Sequence, residues 1–205
     1  MIIYLVRHAE AITDRDKGDR ANIELGLSGF GKLEAMATAK ALARLRIERI
    51  FASPITRARE TAEAIGKVTS LDVAYDGRLR EFFADPDSLD VAYLRNLKLQ
   101  SKQNPDLVMP CGESLNQAVA RLSSALNEFA ELPDKAITVV SHRFVAQEYL
   151  AKVLGVRLAP DESLRTASVT ALHFTGDGKV KVLFYNRRFR DLPLLLETAR
   201  RHLRW

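Results

Sequence analysis

Two places along the chain set an arginine and a histidine side by side at the end of an apolar run. "MIIYLV" leads into Arg7 and His8, and "AITVVS" leads into His142 and Arg143. A third apolar run, "RIFAS", turns into "PITRARETA", which puts Arg57 near the start of a helix. Neutral imidazole is nucleophilic near pH 7, and guanidinium is a permanently charged fork of donors suited to phosphate or carboxylate oxygens. A cation is disfavoured at a helix N-terminus, where the backbone dipole is already positive. Taken singly, each of these is an ordinary surface residue. Two arginines, two histidines and a helix N-terminus at three strand ends together call for an anion, and phosphate fits them best.

Other chemistries fit less well. A cysteine phosphatase loop needs an arginine six residues after the cysteine, but Gln117 stands there relative to Cys111. "GLSGFG" is neither a serine nucleophile elbow, because Phe30 takes the place of the second glycine, nor a dinucleotide-binding G-x-G-x-x-G, and no phosphate-binding G-x-x-x-x-G-K-[ST] loop occurs. His8 and His142 with a carboxylate could in principle hold a metal. No close pair of ligands supports that site and the neighbouring arginines would repel a cation, so no metal and no cofactor is expected. His173 shares an alternating strand face with Val169 and Ala171, and His202 lies in a basic terminal segment; both read as structural.

These residues need elements to position them. Short β-branched runs recur as "IIYLV", "RIFAS", "DVAYD", "AITVVS", "SVTALHF" and "KVKVLFYN", and segments of helical periodicity separate the first five. The alternation predicts an α/β fold with a mainly parallel sheet covered by helices, whose ligands bind at the carboxyl ends of the strands. The first helix is expected to be capped by Ser28 and to bury Leu33, Met36, Ala37, Ala41 and Leu45. The second is expected to be capped by Ser53, with Pro54 in the first turn. Further helices fit "ESLNQAVARLSSALNEFAEL", "FVAQEYLAKVLG" and "LPLLLETARRHL". "TGDG" separates the last two strands, which should form an antiparallel hairpin at one edge. Residues 85–112 carry three prolines and a helix around Ser88 to Leu99, and are expected to form a cap-like insert within a single domain spanning 1–205.

Composition bounds the partners. A net charge of +5 with scattered basic residues and no recognition motif predicts no nucleic-acid partner. No apolar run is long enough to span a membrane, the first residues lack the pattern of a signal peptide, and the one cysteine excludes an internal disulfide. A cytoplasmic protein is expected; oligomeric state stays open.

The ordered set "LVRHAE", "LGLSGFG", "SPITRARETA", "LREF", "GES" and "VVSHR" resembles the histidine phosphatase (phosphoglycerate mutase-like) superfamily over most of the chain. The resemblance implies a three-layer αβα sandwich with an antiparallel edge strand and a helical insert after Glu81. It implies His8 as the nucleophile, Arg7, Arg57 and His142 as phosphate ligands, and Glu81 as the acid that protonates the leaving oxygen. Ala9 and Arg143 stand where the family often has glycine, Asp14 where mutase-like members commonly have asparagine, and Glu34 where the first helix has glutamine. These departures argue against a mutase specificity. The expected activity is phosphomonoester hydrolysis of a small molecule through phospho-His8. A phosphohistidine protein phosphatase, a phosphoglycerate mutase-type transferase and a non-catalytic phosphate binder are the alternatives. Arg143 either reaches the substrate or pairs with an acidic residue such as Glu113.

Overall fold

The computed structural model describes residues 1–12, 25–82, 91–110, 112–155 and 162–191. Asp14, Cys111, His202 and the expected helix "LPLLLETARRHL" lie outside these residues. The strands are β1 (Ile2–Arg7), β2 (Arg49–Ala52), β3 (Val73–Tyr75), β4 (Ala136–Ser141), β5 (Val169–Phe174) and β6 (Val180–Arg187). The helices are α1 (Gly29–Ala43), α2 (Thr56–Thr69), α3 (Val91–Gln103), α4 (Leu115–Ala130) and α5 (Arg143–Leu154).

One six-stranded sheet runs in the order β3-β2-β4-β1-β5-β6. β3, β2, β4 and β1 are parallel, and β5 and β6 close the other side as an antiparallel hairpin. β5 is itself antiparallel to β1, so the direction reverses at the fifth strand although a helix, α5, precedes it in the chain. Alternate residues of β1 feed two separate cores. Ile3 and Leu5 pack with Leu122, Leu126 and Phe129 of α4 and with Val145, Tyr149 and Leu150 of α5. Ile2, Tyr4 and Val6 pack with Ala39 and Leu42 of α1 and with Ala58, Ala62 and Ile65 of α2. Buried on both faces, β1 and β4 have to be apolar throughout, which is why they read as continuous runs rather than alternating ones. Leu97 joins α3 to the α4/α5 side.

Three local expectations shift. Ser28 caps α1 as expected, its Oγ accepting from the Gly31 N–H at 2.9 Å, but the buried stripe is Gly31, Glu34, Ala35, Thr38, Ala39, Ala41 and Leu42. Leu33 is 69% exposed. Ala41 and Leu45 are buried as expected and Met36 and Ala37 half-buried; apolar spacing misplaced Leu33 because the inner face carries a charged residue, Glu34, only 3% exposed. α2 begins at Thr56, not at the Ser-Pro step; its N-cap Ile55 makes no side-chain cap bond. The helix in the insert runs over the described residues Val91–Gln103, past the expected end at Leu99; Ser88 lies outside the described residues.

Candidate active site

Strand register brings the strand ends together. Arg7 sits opposite Ser141, and the His8 N–H donates to the Ser141 carbonyl at 3.0 Å, so the residues following β1 and β4 are neighbours. On the far side of β4, the Ser53 N–H donates to the Val140 carbonyl at 3.0 Å, which carries the start of α2 to the same edge. The His8 and His142 rings lie 5.2 Å apart at 56°.

His8 is held in one tautomer. Its Nδ1 lies 2.7 Å from the Ala9 carbonyl, which can only accept, so Nδ1 carries the proton and Nε2 the lone pair. Arg57 Nε–H points at that lone pair from 3.1 Å. Burial, then the charges of Arg57 and Arg7, hold His8 well below the usual imidazole pKa, so the ring stays neutral. Arg57 is oriented by its helix: Thr61 Oγ1 donates to the Arg57 carbonyl at 2.7 Å and accepts from the Ala9 N–H at 3.0 Å, stitching the loop after β1 to α2.

His142 is fully buried, and its Nε2 meets Ser53 Oγ at 2.8 Å. Ser53 Oγ accepts from the Ile55 N–H at 3.3 Å and meets no acceptor other than Nε2 among the described residues, which directs its proton to Nε2 and assigns the His142 proton to Nδ1. That atom is buried without a partner among the described residues, as is Arg7 Nε. Ser53 therefore fixes a histidine rather than capping α2. Arg7 also donates to the Leu164 carbonyl. Its guanidinium is lowered to about 10, first by burial and then by the charge of Arg143. Buried, unpartnered donors among like charges are costly without an anion to accept from them.

Glu81 follows the turn after β3. Its Oε1 accepts from the Phe82 and Val145 N–H groups and its Oε2 from the Phe144 N–H, all at 3.0 Å. It thus caps α5 from outside that helix. Arg121 of α4 holds this segment in place. It donates to the carbonyls of Arg78 at 2.8 Å, Arg80 at 2.7 Å and Glu81 at 3.3 Å, while Glu113 grips it at 2.8 and 2.9 Å. Glu113 is consequently not the partner of Arg143. Nothing in the spacing of Glu113 and Arg121 announced this role, because the three carbonyls they position belong to a segment about forty residues away.

Glu34 forms a second support. Its carboxylate accepts from the Glu10 N–H at 3.0 Å and from Thr166 Oγ1 at 2.9 Å, and it pairs with Arg188 at 3.2 Å. Gly31 makes that close fit possible, since a Cβ there would fall 1.9 Å from the Glu10 carbonyl oxygen. Among the described residues no three His, Cys, Asp or Glu side chains gather to hold a metal ion, and no helix is long and apolar enough to cross a membrane.

The model of the histidine phosphatase superfamily (branch 1) matches residues 3–187. A probable phosphoglycerate mutase GpmB of Cronobacter sakazakii is 29% identical over 172 residues, covering 80% of this chain and 79% of its own. Among solved structures, a mycobacterial glucosyl-3-phosphoglycerate phosphatase in complex with VO3 superposes with a TM-score of 0.73 at 22% identity, covering 90% of this chain and 98% of that one. A putative alpha-ribazole-5'-P phosphatase from Escherichia coli gives a TM-score of 0.72 at 19% identity over 92% and 98%. With the paired histidines, the arginines beside them and the mostly parallel sheet that carries them all in place, the chain belongs to the histidine phosphatase superfamily.

Proposed function

We propose that the protein is a phosphomonoester hydrolase working through a phosphohistidine on His8, in a single domain whose insert over 85–112 covers the substrate. One observation carries the reading: His8 presents an unprotonated Nε2, locked by the Ala9 carbonyl, amid unsatisfied buried donors of Arg7 and His142. A phosphoryl group placed there accepts from Arg7, Arg57 and His142, and Arg57 Nε–H transfers its hydrogen bond from His8 to a phosphate oxygen, freeing the lone pair. Nε2 then bonds to phosphorus as the ester P–O bond breaks, with fixed positive charge stabilising the equatorial oxygens. Glu81 delivers the proton to the leaving oxygen. Its Oε2, with a single backbone partner, has room for that proton. Water next attacks phosphorus, Glu81 takes a proton back, and the P–Nε2 bond breaks to return neutral His8 and inorganic phosphate. This chain needs no further group for these steps.

The sequence departures at Ala9, Asp14 and Arg143 favour a hydrolase over a mutase of the kind its curated relative is named for. The test is turnover of p-nitrophenyl phosphate in the presence of chelator, by wild type and His8→Ala. The expected result is activity in the wild type and loss of at least about 99% in the variant, given the size of a covalent contribution. A variant that keeps more than about 1% of wild-type activity rejects phospho-His8, and an inactive wild type rejects the hydrolase.

A further inference from the structure

Arg143 is one cation more than a phosphomonoester calls for. It opens α5 directly after His142 and is exposed. No carboxylate among the described residues pairs with it. Glu113 is bound by Arg121, Glu81 is turned to the backbone N–H groups of Phe144 and Val145, and Glu148 further along α5 is bound by Lys102 at 2.7 Å. The position is unfavourable for a cation on its own account. The first turn of α5 is the positive end of its dipole, and Arg7, on the neighbouring strand end, is half-buried with a buried Nε that already lacks a partner among the described residues. Arg143 also depresses the basicity of Arg7 and of His8, which places its charge within electrostatic reach of both. A side chain that strains its neighbours and gains no partner among the described residues is compensated when an anion arrives. Arg7, Arg57 and His142 already serve the scissile phosphate.

We infer that Arg143 binds a second anionic group, a carboxylate or another phosphate, carried by the same substrate close to the scissile phosphoester. This rests on the hydrolase reading above. The substrate class is then a phosphoester with an additional acidic group, and Arg143 is the residue that selects it. Guanidinium suits either group through paired N–H donors.

The experiment compares wild type, Arg143→Ala and Arg143→Lys on two matched pairs: phosphoserine against phosphoethanolamine, which differ by a carboxylate, and fructose 1,6-bisphosphate against fructose 6-phosphate, which differ by a phosphate. The readout is the ratio of kcat/KM within each pair, in which any loss common to both members cancels. In Arg143→Ala the ratio should fall about tenfold or more for at least one pair, mainly through KM, as expected for the loss of a charged hydrogen bond. Arg143→Lys should keep part of it. The pair that responds names the second group as carboxylate or phosphate. Ratios within about twofold of wild type for both pairs overturn the proposal while leaving the hydrolase standing. Should the wild type turn over no phosphoester, calorimetry with inorganic phosphate and pyrophosphate decides the Arg143 question separately. A preference for pyrophosphate that drops about tenfold in Arg143→Ala upholds the second-anion role, and an unaltered preference removes it.

Discussion

His8 and His142 show how two identical side chains receive different tasks from one hydrogen bond each. The Ala9 carbonyl puts the His8 proton on Nδ1 and leaves Nε2 with its lone pair, whereas Ser53 occupies Nε2 of His142 and leaves Nδ1 as a donor. Burial and the guanidinium charges of Arg57 and Arg7 then keep His8 neutral below the pH at which a free imidazole would charge. Long-range 1H–15N NMR on labelled protein should therefore find His8 as the neutral Nδ1–H tautomer, unprotonated well below pH 6.5. A midpoint near 6.5, or a proton on Nε2, would contradict the assignment. Arg57→Ala should move the midpoint upward, because it removes the largest charge acting on the ring.

At the scale of elements, the site is an assembly of helix starts steadied from outside. α5 begins on His142 with no side-chain cap of its own, and the carboxylate of Glu81 supplies the missing acceptor. Glu81 is in turn placed by the grip of Arg121 on three carbonyls of its segment. Two variants separate these roles. Glu81→Gln should slow esters of poor leaving groups far more than p-nitrophenyl phosphate, whose leaving group hardly needs a proton. Equal losses on both would make Glu81 a cap and no more. Arg121→Met should reproduce that leaving-group dependence in weaker form and lower the melting temperature by several degrees, since it strands three carbonyls, two of them half-buried, and the carboxylate of Glu113. A purely structural Arg121 would lower the melting temperature and leave the leaving-group dependence untouched.

Across the whole molecule, a neutral buried histidine pair ties stability to pH. His8 is 7% exposed and His142 0%, and both have folded pKa values well below 6.5. Once the pH drops under about 6.5 the unfolded chain binds protons at these positions and the folded one does not. Stability is therefore fully present above that pH and is lost as pH falls, at up to roughly 1.4 kcal/mol per pH unit for each histidine until its folded pKa is reached. Urea unfolding at pH 7.5 and pH 5.5 should show a larger loss for the wild type than for His8→Gln/His142→Gln. Equal losses would mean that the histidines are not what titrates.

Sequence alone determined the strand runs, the α/β class and the residues Arg7, His8, Arg57, Glu81 and His142 as candidates, because β-branched runs, caps and the ordered motifs are local properties of the chain. Tertiary structure decided the rest. The reversal at β5 depends on which strand it pairs with, and the inner face of α1 depends on a partner for Glu34 that comes from Arg188 and Thr166, far along the chain. Ser53 was legible as a helix cap and became the partner of His142, because β2 and β4 lie side by side. Arg121 and Arg143 are both arginines near acidic residues in sequence. Only the packing of α4 against the turn before Glu81 consumes the charge of one, and only the placement of α5 beside Arg7 leaves the other exposed with no counterion among the described residues.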